Sequence, residues 1–321
     1  MLYDAIAPLL PGVQKPARYT GGEVNMVKKN PEAVRVRFAF CFPDTYEVGM
    51  SHLGMKILYH ILNKREEFYC ERVFAPWMDM ERAMRENQIP LYSLETFTPV
   101  RDFDLVGFTL QYEMSYTNVL NMLDLAGIPM TWRERDAVDA PFVVCGGPCA
   151  FNPEPLADFV DLFMVGDGEE QILELCEHYD AWKARGGTRE EFLLEMANIE
   201  GNYVPRFYEA QYDGAGEFAG LVRTRDDVPA RIRKRCICHL INCSEVFVRA
   251  DSSNLLDCHR NVHFLLHKLN PVYKRTNAHY LVVIAQSQDM CYRCVSLYCR
   301  KICFLASASL VDICIKLNDM R

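Results

Sequence analysis

Four long apolar runs, each followed by a helical pattern, restrict the fold more than any other feature of the chain. They are residues 33–42 (AVRVRFAFCF), 104–110 (DLVGFTL), 140–147 (APFVVCGG) and 161–166 (DLFMVG). Strands that are apolar throughout are typical of a parallel sheet that is covered on both faces by helices. The pattern therefore predicts an α/β fold with a Rossmann-like, doubly wound parallel sheet.

Each run leads into a segment whose apolar residues recur at helical spacing. Ser51 is predicted to cap the helix after the first run, and Pro76 to lie in the first turn of the next helix. Ser115 and Gly127 are predicted to begin and end the helix after the second run. The predicted inward-facing residues are Leu53, Ile57, Leu58, Ile61 and Leu62 in the first helix, Trp77, Met80 and Met84 in the second, Tyr116, Val119, Leu120 and Leu123 in the third, and Ile172, Leu175, Cys176 and Tyr179 after the fourth run.

The chain beyond this layer contains a different set of patterns. Residues 188–199 (TREEFLLEMANI) predict a short helix, and two strand-like segments around DGAG (213–216) predict a hairpin. Residues 226–235 (DDVPARIRKR) are polar and basic, as expected of a linker that leads into another domain. The predicted division is an N-terminal arm (1–33), a Rossmann-like domain (34–187), a connecting region (188–235) and a tail (236–321).

The composition changes abruptly at residue 236. All 17 glycines of the chain lie before it, and nine of the 14 cysteines lie in residues 236–321. Proteins ordinarily contain about 7% glycine, which supplies the positive-φ residues that turns need. We favour the interpretation that the tail is translated out of frame and is therefore nonnative or disordered. The alternative is a small Cys-rich module whose zinc ligands would be Cys291, Cys294, Cys299 and Cys303.

Charge and hydropathy exclude several classes of protein. The net charge is −8 and the pI is about 5.6, which argue against general binding of nucleic acids. No apolar stretch approaches the roughly 20 residues that span a bilayer. The first residues, MLYDAIAPLLPG, lack the basic region and the cleavage site of a secretory signal. We therefore expect a cytoplasmic protein whose partner is a small-molecule cofactor, with neither a membrane nor nucleic acid involved.

The turns after the apolar runs are the expected binding site, because open parallel sheets bind ligands at the carboxyl ends of their strands. The candidate cofactor-binding residues are Ser51, His52, Thr109, Gly146, Gly147, Gly166 and Gly168. No catalytic residue and no metal ligand is assigned. His52 could contact a ligand or a metal, but a lone histidine near a helix start is more often a hydrogen-bonded structural residue.

Two glycine-rich turns have competing interpretations. Cys145 and Cys149 flank Gly-Gly-Pro, but they supply two ligands where a structural zinc needs four. Because Cys145 ends an apolar strand, we predict that it packs as a small hydrophobe and that the turn is a strand-end bend. In GDGEE, Glu169 and Glu170 already complement the positive end of the helix, which favours a self-satisfied helix start over a phosphate site.

Residues 15–235 resemble the N-terminal region of bacterial radical S-adenosylmethionine (SAM) proteins that carry a cobalamin-binding domain. The segments that carry this likeness are KPARYTGGEVN, FCFPDTYEVGMSHLGMKILYHILN, FDLVGFTLQYEMSYTNVLNMLDLAGIP, GGPCAFNPEPLADFVDLFMVGDGEE and PARIRKR. The resemblance implies that residues 34–187 form a Rossmann-like domain of the cobalamin-binding type, placed before a radical SAM domain. There, three cysteines of a Cys-x-x-x-Cys-x-x-Cys loop hold a [4Fe–4S] cluster, to which SAM binds.

The chain departs from that family pattern at two places. No Cys-x-x-x-Cys-x-x-Cys occurs in it, since position 152 after Cys145 and Cys149 is Asn152. The Asp-x-His-x-x-Gly motif that provides the histidine ligand of cobalamin is also absent. We therefore predict an N-terminal part of a radical SAM iron–sulfur protein of unknown substrate. The chain as written would not bind the cluster or SAM, and cobalamin would bind without a histidine ligand or not at all.

Two functions of other classes remain open on the sequence alone. One is a non-enzymatic α/β binding module with a zinc-binding Cys-rich tail. The other is a free-standing carrier domain for cobalamin or another small molecule.

Overall fold

A single six-stranded sheet forms the centre of the computed structural model, which describes residues 2–236. Its strands are β1 (Val36–Phe42), β2 (Phe68–Phe74), β3 (Leu105–Thr109), β4 (Phe142–Gly146), β5 (Leu162–Met164) and β6 (Asn202–Tyr203). Their order is β2-β1-β3-β4-β5-β6. β1 to β5 pair in parallel, and β6 pairs antiparallel to β5. The predicted doubly wound α/β fold is confirmed.

Helices and a separate hairpin complete the described part of the chain. The α-helices are α1 (Leu2–Ile6), α2 (Tyr46–Ser51), α3 (Leu53–Asn63), α4 (Met78–Glu86), α5 (Tyr116–Ala126), α6 (Trp132–Asp136), α7 (Gly168–Arg185) and α8 (Arg189–Ala197). The hairpin consists of β7 (Tyr208–Tyr212) and β8 (Phe218–Arg223), around the predicted turn. No helix within residues 2–236 has the length and apolarity needed to cross a membrane.

The four predicted strands are β1, β3, β4 and β5, but β2 was not predicted. Its sequence, FYCERVF, is interrupted by Glu71 and Arg72, and these are nevertheless buried. Arg37 of β1 donates to Glu71 (2.5 Å), and Arg72 donates to Glu95 (2.7 Å). The search for apolar runs misses this strand because partners from elsewhere in the chain neutralise the charges of Glu71 and Arg72.

The predicted cap of the helix after β1 is wrong by one residue. α3 begins at Leu53, and His52 caps it by accepting the Met55 N–H at Nδ1 (3.1 Å). Ser51 instead ends α2 and donates to the carbonyl of Val48 (2.8 Å). The preceding turn forms its own short helix, which uses Ser51 and leaves the capping position to His52.

The predicted inward faces are corrected in two helices. In α3 the buried residues are Met55, Tyr59 and Leu62. Of the other predicted inward residues, Leu53 in the first turn is 40% exposed, and Ile57, Leu58 and Ile61 are half-buried. Pro76 lies before α4 rather than in its first turn. As a result Trp77 becomes the N-cap residue and is 41% exposed.

Most of the other predicted helix features agree with the structure, although in α5 only Val119 and Leu123 of the predicted inward residues are buried, and Tyr116 and Leu120 are half-buried. Met80 and Met84 are buried in α4, as are the predicted inward residues of α7. Ser115 and Gly127 flank α5, and Gly127 has the left-handed φ of +66°. In the described part of the connecting region, Thr188 caps α8 in a capping box.

The domain boundaries stay predictions, although β6 of the main sheet falls after the boundary placed at 187. Apart from Cys236, the predicted tail, including the four candidate zinc ligands, lies outside the described residues.

Candidate functional site

The boundary between β1 and β3 is the position where the order of the sheet changes direction. β2 lies on one side of β1, while β3, β4 and β5 follow on the other. The connections that leave two neighbouring strands toward opposite faces open a crevice at their carboxyl ends, where α/β proteins bind ligands. We call this position the switch-point edge; the last residue of β3 and the loops that follow β1, β3 and β4 form it.

A chain of hydrogen bonds crosses the switch-point edge. His52 Nε2 lies 3.0 Å from Gln111 Oε1, and Gln111 Nε2 donates to Thr109 Oγ1 (2.6 Å). Because His52 Nδ1 accepts from the Met55 amide, the ring proton lies on Nε2 and is donated to Gln111. Burial lowers the pKa of His52, although its bond to Gln111 opposes that shift. His52 is therefore neutral at pH 7, and both ring nitrogens are engaged.

A second set of contacts joins the same two loops. Tyr112 donates its hydroxyl to Asp44 Oδ2, and Asn118 donates to the carbonyl of Pro43 (2.9 Å). The bond to Asp44, followed by burial, raises the pKa of Tyr112. These contacts hold the loops after β1 and β3 together.

The Gly-Gly turn after β4 is a bend bonded to the end of β3. The amide of Leu110 donates to Gly146 (2.7 Å), and the amide of Cys149 donates back to Leu110 (3.1 Å). Gly147 has φ +96°, and a Cβ there would lie 2.8 Å from the Leu110 carbonyl oxygen. Only glycine fits this close approach. That Cβ position is also 3.2 Å from Gln111 Nε2, so Gly147 lies beside the hydrogen-bonded chain.

The remaining candidate residues do not join this cluster. Ser51 bonds within its own helix. Gly166 and Gly168 follow β5, two strands along the sheet from β3. Gly166 packs against the backbone of Arg235, and Gly168 begins α7. The structure thus brings together His52, Thr109 and Gly147, and adds Gln111, Asp44 and Tyr112, which were not predicted. The feature of the sequence that could have indicated Gln111, Asp44 and Tyr112 is their position two or three residues after an apolar strand.

Five of the six cysteines of the described region are buried and unsuited to holding a metal cluster; the sixth, Cys236, is exposed. Cys41, Cys70, Cys145 and Cys176 are wholly buried on separate strands and on α7, and Cys149 is also buried. Burial raises the pKa of the Cys145 thiol, which opposes formation of the thiolate that binds metals. Within residues 2–236 no three Cys, His, Asp or Glu side chains form a group that could hold a metal ion. The described residues therefore do not provide the ligands for a [4Fe–4S] cluster or for the SAM that binds to it.

The fold defines a class: a doubly wound α/β domain whose sheet order changes direction at a switch point between β1 and β3. Residues 54–205, from the start of α3 to the turn after β6, match the family model of radical SAM proteins, N-terminal. This region is therefore related to the N-terminal region of radical SAM proteins. Of the switch-point residues, Asp44 and His52 precede the match, while Thr109, Gln111, Tyr112 and Gly147 lie inside it.

A curated protein also matches part of the chain. The chain is similar to an uncharacterized protein of Methanocaldococcus jannaschii, with 29% identity over 133 residues, which cover 41% of this chain. The match spans 24% of that protein's length. The matched part of the chain therefore spans about a quarter of this relative's length.

Proposed function

We propose that the described region is the N-terminal, cofactor-binding part of a radical SAM iron–sulfur protein of unassigned substrate, with cobalamin as the candidate ligand. The observation that carries the proposal is the match of residues 54–205 to the N-terminal region of radical SAM proteins. The switch-point edge supports a small-molecule role, because several polar groups converge at the position where such sheets bind ligands.

The cluster and SAM would be bound by a polypeptide that continues from Arg235 in the intact protein. We expect that the nucleotide sequence, translated beyond the Arg235 codon in the other two frames, contains a Cys-x-x-x-Cys-x-x-Cys loop. The present chain, reconstituted with iron and sulfide without oxygen, should lack the visible absorbance of a thiolate-bound cluster. Stop codons in both other frames would contradict the proposal, and so would a stable cluster on this chain.

Cobalamin bound at this edge would lack a histidine ligand from His52. Both nitrogens of His52 are occupied by Met55 and Gln111, so this imidazole does not present a free ligand for cobalt. The amide of Gln111, the hydroxyl of Thr109 and the backbone at Gly147 would contact the polar periphery of the molecule. Bound cobalamin would supply alkyl-transfer or redox chemistry, and the residues of this edge would position it.

The first test is whether Gln111 contributes to binding. We expect hydroxocobalamin to bind the full-length chain and Gln111→Leu to weaken it about tenfold, the effect of losing one to two hydrogen bonds. Equilibrium dialysis followed by absorbance measures both affinities. Gln211→Leu is the matched control, because Gln211 is exposed on β7, away from the sheet edge. If cobalamin does not bind the wild type, it is excluded as the ligand. If Gln111→Leu and Gln211→Leu lose affinity equally, the switch-point edge is excluded as the binding site.

The coordination of cobalt provides a separate test. With cob(II)alamin bound, the electron paramagnetic resonance spectrum should show no nitrogen splitting from a protein imidazole. The spectrum of the His52→Ala variant should therefore be the same as that of the wild type. A nitrogen splitting that disappears in His52→Ala would show that His52 leaves Met55 and Gln111 to ligate cobalt, contrary to the geometry described above.

A further inference from the structure

The last described residues pair with the main sheet beyond the end of β5. The amide of Arg235 donates to the carbonyl of Val165 (2.9 Å), and the amide of Asp167 donates to the carbonyl of Arg235 (3.1 Å). This is a parallel bridge opposite Gly166. The basic segment predicted to be a linker therefore ends as a piece of parallel strand at the carboxyl edge of the sheet.

Two glycines make room for that backbone. A Cβ on Gly166 would lie 2.2 Å from the carbonyl oxygen and 2.6 Å from the amide nitrogen of Arg235. A Cβ on Gly201 would lie 2.8 Å from the Cβ of Arg235. Both glycines have positive φ, +123° and +91°. We call the space between them the glycine slot.

Side chains hold the same segment from two sides. The Arg235 guanidinium lies 2.5 Å from Glu174 and 3.5 Å from Glu170, both on the first turns of α7. The Lys234 ammonium lies 5.5 Å from the centre of the Phe151 ring, in the turn after β4. Lys234 and Arg235, which we call the exit strap, thus contact both loops that follow β4 and β5.

We propose that the exit strap and the glycine slot form a latch that fixes where the chain leaves this domain, with Arg235 as its positioning residue. The exit then lies on the carboxyl edge of the sheet, the edge that also carries the switch-point crevice. A polypeptide that continues from Arg235 would start from a fixed position on the same edge of the sheet as the proposed ligand. The latch depends on the contacts of Arg235 and is independent of which cofactor binds.

Hydrogen exchange on the full-length chain tests the latch, with the amides of Asp167 and Arg235 as reporters. Gly166→Ala should expel the strap and speed exchange at both amides by at least about tenfold, the effect of losing these hydrogen bonds. Gly186→Ala is the matched control, since Gly186 also has positive φ (+72°) but would place its Cβ in open space. Gly186→Ala should lower the melting temperature through the same backbone strain and leave the two reporter amides unchanged.

A second variant keeps the test decisive if Gly166→Ala fails to fold. Arg235→Pro removes the N–H that bonds Val165 and puts a ring carbon in its place, which prevents this pairing. Because Arg235 is not part of the buried core, the melting temperature should stay near that of the wild type. The Asp167 amide should again exchange at least about tenfold faster. The latch is excluded if both reporter amides exchange freely in the wild type. It is equally excluded if Asp167 keeps its protection in Arg235→Pro.

Discussion

Replacing Arg72 by methionine is expected to lower the free energy of unfolding by about 3–5 kcal/mol, the usual consequence of removing one partner of a buried ion pair. Arg72 is 3% exposed, and it donates its Nε to Glu95 Oε1 (2.7 Å) while its backbone amide donates to Oε2 (2.6 Å). Glu23 also lies within 3.4 Å of the guanidinium. Methionine fills much of the volume but leaves both carboxyl groups without a cation.

Controls separate the charge effect from lost packing. The double variant Arg72→Met/Glu95→Gln should recover a large part of the loss, because it removes the charge that Arg72 neutralised. Arg85→Met, at an arginine that pairs with Glu81 and Asp124 on the surface, should change stability by less than about 1 kcal/mol. Urea unfolding monitored by circular dichroism measures all three. Equal losses in the single and double variants would show that Arg72 acts through packing alone.

The loss in Arg72→Met should also depend on pH. Burial raises the pKa of Glu95 to about 7, while the charge and hydrogen bonds of Arg72 act in the opposite direction. Removing Arg72 therefore moves this folded-state pKa higher still, further from the ordinary value of about 4.3. Below pH 7 the carboxyl group is protonated in both folded proteins. As pH rises through 7, only the wild type ionises Glu95 readily, so the difference in stability should grow. A difference that stays constant from pH 5 to pH 8 would contradict this assignment.

Replacing Asp161 by asparagine is the second change with a large expected effect, again about 3–5 kcal/mol. Asp161 is 1% exposed, and its Oδ2 accepts from Arg135 Nε (3.0 Å) and from the Val143 amide (2.8 Å). Arg189 and Arg206 lie 3.4 and 3.8 Å from the same carboxylate. Asparagine keeps the shape but leaves three arginines with less negative charge between them.

A nearby aspartate provides the control for this second prediction. Asp158 pairs with Arg133 at 2.7 Å, but its side chain is 65% exposed. Because solvent screens such a pair, Asp158→Asn should change the free energy of unfolding by less than about 1 kcal/mol. The comparison uses the same substitution three residues apart on one loop. Similar small losses at both positions would show that Asp161 is not required to neutralise the buried arginines.

The candidate site could be predicted from the sequence in its position but only partly in its residues. Placing it at the carboxyl ends of the strands follows from the parallel sheet, and His52, Thr109 and Gly147 do meet there. Gln111 was missed because its role depends on His52, 59 residues earlier in the chain. Gly166 was chosen as a ligand contact because it is a glycine after a strand. The structure shows a different reason for glycine there: the backbone of Arg235 lies too close to leave room for a Cβ.

The sequence by itself determined the four apolar strands and the helix end at Gly127, and hence the class of fold. These features are encoded locally, because burial of an apolar run and a left-handed φ each act within a few residues. Only the tertiary structure decided that β2 is buried, that His52 is neutral and fully engaged, and that Arg235 ends on the sheet. A buried charge or a hydrogen-bonded ring depends on a partner distant in sequence, and local patterns contain no information about that partner.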